Sequence, residues 1–291
     1  MGEKNTDLIK VIQNRFQSLS KGQKLIAEFI MNNYDKAAFM TASKLGETVG
    51  VSESTVVRFA NALDFAGYPD LQKSLQQLIK NKLTTVQRIG IADEYESKGG
   101  FLKRVLQSDI SNIRLTLDEI EQDTLNQVIA RICKAERVYV LGLRSSTALA
   151  GYLGFYLNLI LDNVNVISFG LSDVLEQIIK INENDLVIVI SYPRYSRKTI
   201  QALEFAKSRN CEIIGITDSI ISPIANLSNY TLIARSNMAS FVDSLVAPMS
   251  LINALVVGVA MQNREKVEHY FETLENVWDA YDVYEKEIER E

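Results

Sequence analysis

With 291 residues, 47% of them hydrophobic and 23% charged, the chain is long enough for roughly two domains and has the composition of a folded protein, which excludes fibrous, collagen-like and largely disordered readings. Its longest mostly apolar stretch, Leu245 to Met261, is interrupted by Pro248, Ser250 and Asn253 and falls short of the about 20 apolar residues of a bilayer span, so no membrane partner is expected. The net charge of −5 is unevenly divided: residues 1 to 80 hold 10 basic and 8 acidic side chains, residues 264 to 291 hold 4 and 10, and the slightly basic head is the part suited to meeting phosphate.

The first residues lack the apolar core of a secretory signal, and Cys133 and Cys211 are too few and too far apart for a disulfide framework, so a reducing, cytoplasmic location is expected. Residues 1 to 82 read as an all-helical domain. Ser20 and Gln23 have the spacing of a capping box and precede Leu25, Ile26, Phe29 and Ile30 at helical period. Thr41 is placed to cap a short helix through Val49, Gly50 to turn the chain, and Ser52 to accept from the free amides that open a second helix. On that second helix Val56, Phe59, Ala60 and Leu63 make one apolar stripe, while Ser54, Arg58 and Asn61 share the opposite face. This is a helix-turn-helix pattern with a short, donor-rich outer face. Pro69 suits the first turn of a further helix running to about Lys82.

Periodicity weakens from Leu83 and the segment closes on Ser97-Lys98-Gly99-Gly100, so residues 83 to 100 read as a linker. The body, residues 101 to 291, opens with two amphipathic helices, about Phe101 to Ile120 and Thr124 to Ala135. Short unalternating apolar runs then alternate with helical stretches: Arg137 to Gly142, Val164 to Phe169, Leu186 to Ile190, Glu212 to Thr217 and Tyr230 to Ala234. Runs without alternation are strands covered on both faces, hence a doubly wound, parallel five-stranded α/β sheet. Near the carboxyl end Val267, Phe271, Leu274, Trp278, Tyr281 and Ile288 form a helical apolar stripe, suited either to closing a homodimer or to packing on the chain's own sheet.

In such a sheet ligands bind beyond the carboxyl ends of the strands where strand order reverses, commonly between the first and third. The first strand runs through Gly142-Leu143-Arg144-Ser145-Ser146 into a helix, and the third through Ser191-Tyr192-Pro193-Arg194-Tyr195-Ser196-Arg197-Lys198-Thr199 into another. Two hydroxyl-rich helix starts with Arg194, Arg197 and Lys198 beside them make an anionic ligand the expected occupant. The alternative is that Ser145 and Ser196 simply cap their helices. No phosphate loop of the ATPase type and no GxGxxG is present, and the single histidine, His269, has no cysteine or histidine neighbour in sequence, so neither a nucleotide cofactor nor a catalytic or structural metal is expected. Asp218 and Asp243 flank the crevice in reach of a general-base role, though capping and turn roles are the commoner use of aspartate there.

These residues resemble the RpiR family of bacterial transcriptional regulators, a helix-turn-helix head on a sugar-isomerase-type (SIS) body. In the head the resemblance rests on Thr41 to Gly46, on Val51-Ser52-Glu53-Ser54-Thr55-Val56-Val57-Arg58-Phe59 and on Leu63 to Leu71. In the body it rests on Val140-Leu141-Gly142 with Ser145 and Ser146, Ile190-Ser191 with Ser196 and Thr199, and Ile216-Thr217 with Ser222-Pro223. It implies that Ser145, Ser146, Ser191, Ser196 and Thr199 surround the phosphate of a phosphosugar. The family's loop is a short serine, any residue, serine, glycine turn; here Tyr192 to Tyr195 lengthen the approach to Ser196 and Arg197 replaces the glycine, a change that fills the sugar pocket or selects a more acidic effector. The expected function is a sequence-specific, at least dimeric DNA-binding regulator without enzymatic activity. Ser54, Thr55 and Arg58 would lie nearest base edges and Thr41, Lys44 and Ser52 nearest phosphates, with control by an anionic sugar-type metabolite at Ser145, Ser146, Ser191, Arg194, Ser196, Arg197 and Thr199. An aldose-ketose phosphosugar isomerase is the alternative, and it leaves the head without a use.

Overall fold

The computed structural model describes residues 8–80, 100–168, 170, 172–238 and 242–284, and the chain divides into two compact units, one within residues 1–93 and the other within 94–291. Apart from Gly100, the stretch expected as a linker lies outside the described residues, as does Ile288.

The first unit is helical: α1 (Leu8–Arg15), α2 (Lys21–Asn32), α3 (Tyr34–Ala37), α4 (Ala42–Val49), α5 (Glu53–Ala62) and α6 (Tyr68–Lys80). Ser20 and Gln23 form the expected reciprocal capping box at the start of α2. Ile26, Ala27 and Ile30 of α2, Leu45 of α4, Val56, Phe59 and Ala60 of α5, and Leu71 and Leu75 of α6 are all fully buried. Sequestering a side chain the size of Phe59 contributes about 1.5–3 kcal/mol. Gly50 turns the chain between α4 and α5 at φ +77°, a left-handed conformation that glycine adopts without steric cost. The buried Tyr68 hydroxyl donates to Met40 O at 2.7 Å and bolts α6 to the end of α3's connection; burial pushes this phenol up to about 12.

The second unit begins with α7 (Phe101–Glu119) and α8 (Gln122–Lys134). Strands β1 (Val138–Gly142), β2 (Val164–Ile167), β3 (Leu186–Ile190), β4 (Glu212–Thr217) and β5 (Tyr230–Ile233) follow, interleaved with α9 (Thr147–Asn158), α10 (Val174–Gln177), α11 (Arg197–Ser208) and α12 (Pro223–Leu227). Helices α13 (Val246–Gln262) and α14 (Arg264–Ala280) come last. The sheet is five-stranded in the order β2-β1-β3-β4-β5 and every pairing is parallel. Successive strand residues serve opposite faces: Val140, Ile188 and Ile214 meet α8, α9 and α13, whereas Leu141, Val189 and Ile213 meet α10, α11 and α12. The runs do not alternate because both faces are apolar. Three strand limits differ from expectation. β1 starts at Val138, although Arg137 O still accepts from Leu186 N at 2.9 Å, and β2 and β5 stop two and one residues early.

The long apolar stretch is α13, whose Ala247 and Pro248 are buried and whose Leu251, Ile252, Leu255 and Val259 are buried in the sheet core. Among the described residues no single helix is long and apolar enough to cross a membrane. Among the described residues of the carboxyl-terminal stripe only Val267 packs on the sheet core; Phe271, Leu274 and Trp278 are half-buried and Tyr281 is exposed, so packing on the chain's own sheet does not account for these.

Candidate functional site

In the first unit the outward face of α5 collects the residues singled out from the sequence. Ser54 and Arg58 are exposed and Thr55 half-exposed, while Val56, Phe59 and Ala60 hold the opposite face in the core. Thr41 caps α4, its hydroxyl accepting from Lys44 N at 3.1 Å. Ser52 does not make the capping bond expected of it. Its Oγ lies 2.9 Å from both Ser54 Oγ and Thr55 Oγ1, so neighbouring hydroxyls take the atom that would have accepted from the helix. Arg58 folds back on the same cluster, Nε donating to Ser54 O at 3.3 Å and Nη2 to Thr55 Oγ1 at 3.4 Å. Ser52, Ser54, Thr55 and Arg58 thus form one polar patch. Thr41 and Lys44 stand apart from it on α4, where Lys44 Nζ pairs with Glu47 at 3.0 Å, both side chains being more than half exposed. The Thr55 amide is taken by Ser52 O at 2.9 Å, and no side chain caps the amides of Glu53 and Ser54, which lie at a helix end that favours anions.

In the second unit β1 and β3 are neighbours from which the chain departs to opposite sides, and Gly142 stands opposite Ile190 in register. The two connections therefore leave the sheet at one level. Gly142 is required there: a Cβ would sit 2.5 Å from Ser146 O, because the chain folds straight back through a 3-10 turn at Arg144–Ser146 into α9. Ser146, Ser191 and Thr199 are buried, Ser196 is half-buried, and Ser145, Arg194 and Arg197 are exposed. Neither Ser146 nor Ser196 spends its hydroxyl on capping, although each stands at the cap position of its helix. Thr199 Oγ1, in the first turn of α11, has no hydrogen-bond partner among the described residues. Arg194 bends the approach at φ +69°. Lys198 is drawn aside to Asp173 at 2.6 Å, the ammonium holding that carboxyl below the usual range.

Sequence reasoning missed what lies behind the hydroxyls. Tyr195 OH donates to Asp218 Oδ1 at 2.6 Å, and burial beside that carboxylate pushes the phenol far above the tyrosine range, so it remains a donor at any physiological pH. Asp218, weighed above as a base, accepts this bond at the end of β4. Tyr192 is buried, its hydroxyl without a partner among the described residues. Arg235, just beyond β5, donates from Nη1 to Asp218 O at 3.3 Å and pairs with Glu119 of α7. Their common position past the strand ends was the available signal. His269 is exposed on α14.

Two family descriptions match this chain: a helix-turn-helix domain of the rpiR family at residues 6–82 and a SIS domain at residues 131–258. Among curated proteins it is 23% identical to the HTH-type transcriptional regulator HexR of Pseudomonas aeruginosa, over 88% of this chain and 90% of that one. Among solved structures, the sugar isomerase domain of an RpiR transcription factor from Sphaerobacter thermophilus superposes with TM-score 0.57 at 28% identity, covering 60% of this chain and 97% of that one. The NanR protein of Vibrio vulnificus, solved complexed with ManNAc-6P, has the same fold at TM-score 0.57 and 21% identity, covering 94% of this chain and 98% of that one.

Proposed function

This chain belongs to the RpiR family of transcriptional regulators, a helix-turn-helix domain followed by a SIS domain, and from that premise we propose that it binds a specific DNA operator with affinity set by an anionic sugar-type effector. Helix α5 enters the major groove. Ser54, Thr55 and Arg58 meet base edges, and Thr41, Lys44 and Ser52 meet phosphates. The observation that carries this reading is the patch on α5, where exposed donors stand on a helix whose other face is locked in the core.

The effector, a phosphosugar or sugar acid, sits at the switch point between β1 and β3. Ser145, Ser146, Ser191, Ser196 and Thr199 take its anionic group, with Arg194 and Arg197 on the exposed side. The buried, unpartnered Thr199 hydroxyl and two cap-position serines whose side chains do not cap support this placement. The ManNAc-6P held by a protein of the same fold supports the ligand class. The body acts as a sensor, not a catalyst, in the cytoplasm, and a second copy of the chain supplies the second head. The stripe on α14 left uncovered by its own sheet suits that contact.

The test is an electrophoretic shift assay on the promoter fragment of its own gene against a scrambled duplex at low salt, repeated with Arg58→Ala. If Arg58 reads a guanine, the substitution weakens specific binding by about 1–3 kcal/mol and relaxes sequence preference. Equal affinity of the parent protein for both duplexes overturns the reading.

A further inference from the structure

Helix α7 faces its own unit in the reverse of the usual sense. The side chains it buries are Asn112 and Thr116, whereas Leu102, Leu106, Ile110, Ile113 and Leu117 are exposed. Its specific bonds are polar and follow a helical stripe at Asp109, Asn112, Thr116 and Glu119. Asp109 Oδ1 accepts from Ser244 Oγ at 2.6 Å, and Asn112 exchanges two bonds with the backbone of Asn237 at 3.0 and 3.1 Å. Thr116 Oγ1 accepts from Arg235 N at 2.8 Å, and Glu119 pairs with the Arg235 guanidinium. Every partner belongs to the segment that leaves β5, so the seam ties α7 to the carboxyl edge of the sheet.

Arg235 is where the seam meets the crevice. Its guanidinium forks, Nη2 going to Glu119 and Nη1 to Asp218 O, and the Asp218 carboxylate accepts from Tyr195, the neighbour of Ser196. Of the donors left over, Nε is buried without a partner among the described residues. A buried cationic donor left unpaired is a cost that an alternative arrangement of the same network can relieve. In chain order α7 is the first described helix after the helix-turn-helix unit.

We propose that Arg235 is the positioning residue that couples the crevice to α7: an anion that displaces Tyr195 changes the Asp218 to Arg235 link and thereby the seam that holds α7. The proposal rests on the reading of the crevice as the effector site. It requires two arrangements of the link that the anion binds unequally, and by reciprocity a change on α7 is felt at residues 191–199.

Hydrogen exchange by mass spectrometry on the full-length chain tests this, with inorganic phosphate as the probe. Tyr195→Phe removes one hydroxyl and is expected to change exchange in residues 101–119 by roughly fivefold or more, the lower end of typical site-to-site coupling. Arg235→Lys keeps a cation for Glu119 but lacks the fork that also reaches Asp218 O. In that background Tyr195→Phe is expected to leave 101–119 unmoved, which a merely stabilising role for Arg235 would not produce. Unchanged α7 exchange in Tyr195→Phe, or additive effects of the two substitutions, overturns the coupling. Should Tyr195→Phe not fold, Glu119→Gln on the partly exposed side is expected to alter exchange at 191–199, and no change there has the same force. Phosphate that slows 191–199 but not 101–119 in the parent protein overturns the coupling and leaves the crevice standing. Phosphate that slows neither overturns the crevice reading, and the variants then decide the coupling alone.

Discussion

A hydroxyl buried without a partner costs on the order of 1–3 kcal/mol, and Thr199 is 1% exposed with its Oγ1 unpartnered among the described residues. Thr199→Val is therefore expected to leave the melting temperature unchanged or raised while weakening a phosphate-bearing ligand at least about tenfold, or 1.4 kcal/mol. Scanning calorimetry and ligand titration on one preparation check both halves. A variant that melts several degrees earlier yet binds with parental heat assigns the hydroxyl to the fold. Ser52 carries the opposite lesson. Its sequence position matched a helix cap, but Ser54 and Thr55, two and three residues on, offer its hydroxyl partners on the same turn, and that local competition is decided by rotamers.

At the scale of elements, β1, the turn after it and α9 are held in place by Gly142. A methyl there would lie 2.5 Å from Ser146 O, a backbone atom, and 2.7 Å from the Ala150 Cβ. Gly142→Ala is expected to cost about 1–3 kcal/mol of unfolding free energy in urea, as overpacking does, and to remove the effector response along with it. Parental stability would mean that the turn yields without loss. The hydroxyl-rich turns were legible because parallel strands place their following residues at one edge, and apolar runs without alternation reveal such strands. The network behind them was not. Tyr195 and Asp218 meet only because β3 and β4 are adjacent, and Arg235 meets Glu119 across 116 residues of chain, separations that periodicity does not encode. β2 ends early where the Gln177 side chain takes the backbone of Ser168, donating to its O at 2.7 Å and accepting from its N at 3.3 Å.

For the whole molecule, the proposed DNA binding would depend on how charge is divided. The chain is acidic overall at −5, so attraction to a duplex has to come from the head, where Lys44 is exposed and its partner Glu47 is exposed too. An ion pair at such a surface is worth about 0–1 kcal/mol, so exchanging Glu47 for a phosphate costs little. Each phosphate neutralised contributes about 0.9 to the slope of log K against log salt. Lys44→Ala is therefore expected to lower that slope by about 0.9 if one head engages the operator and by about 1.8 if two heads of a dimer do. Sequence preference is expected to persist, because a phosphate contact orients the helix without reading bases. Fluorescence titrations at several salt concentrations give the slope, and sedimentation of the complex gives the number of chains per duplex independently. An unchanged slope removes Lys44 from the interface, and a change of one unit with a single chain per duplex replaces the paired-head arrangement by a monomeric one.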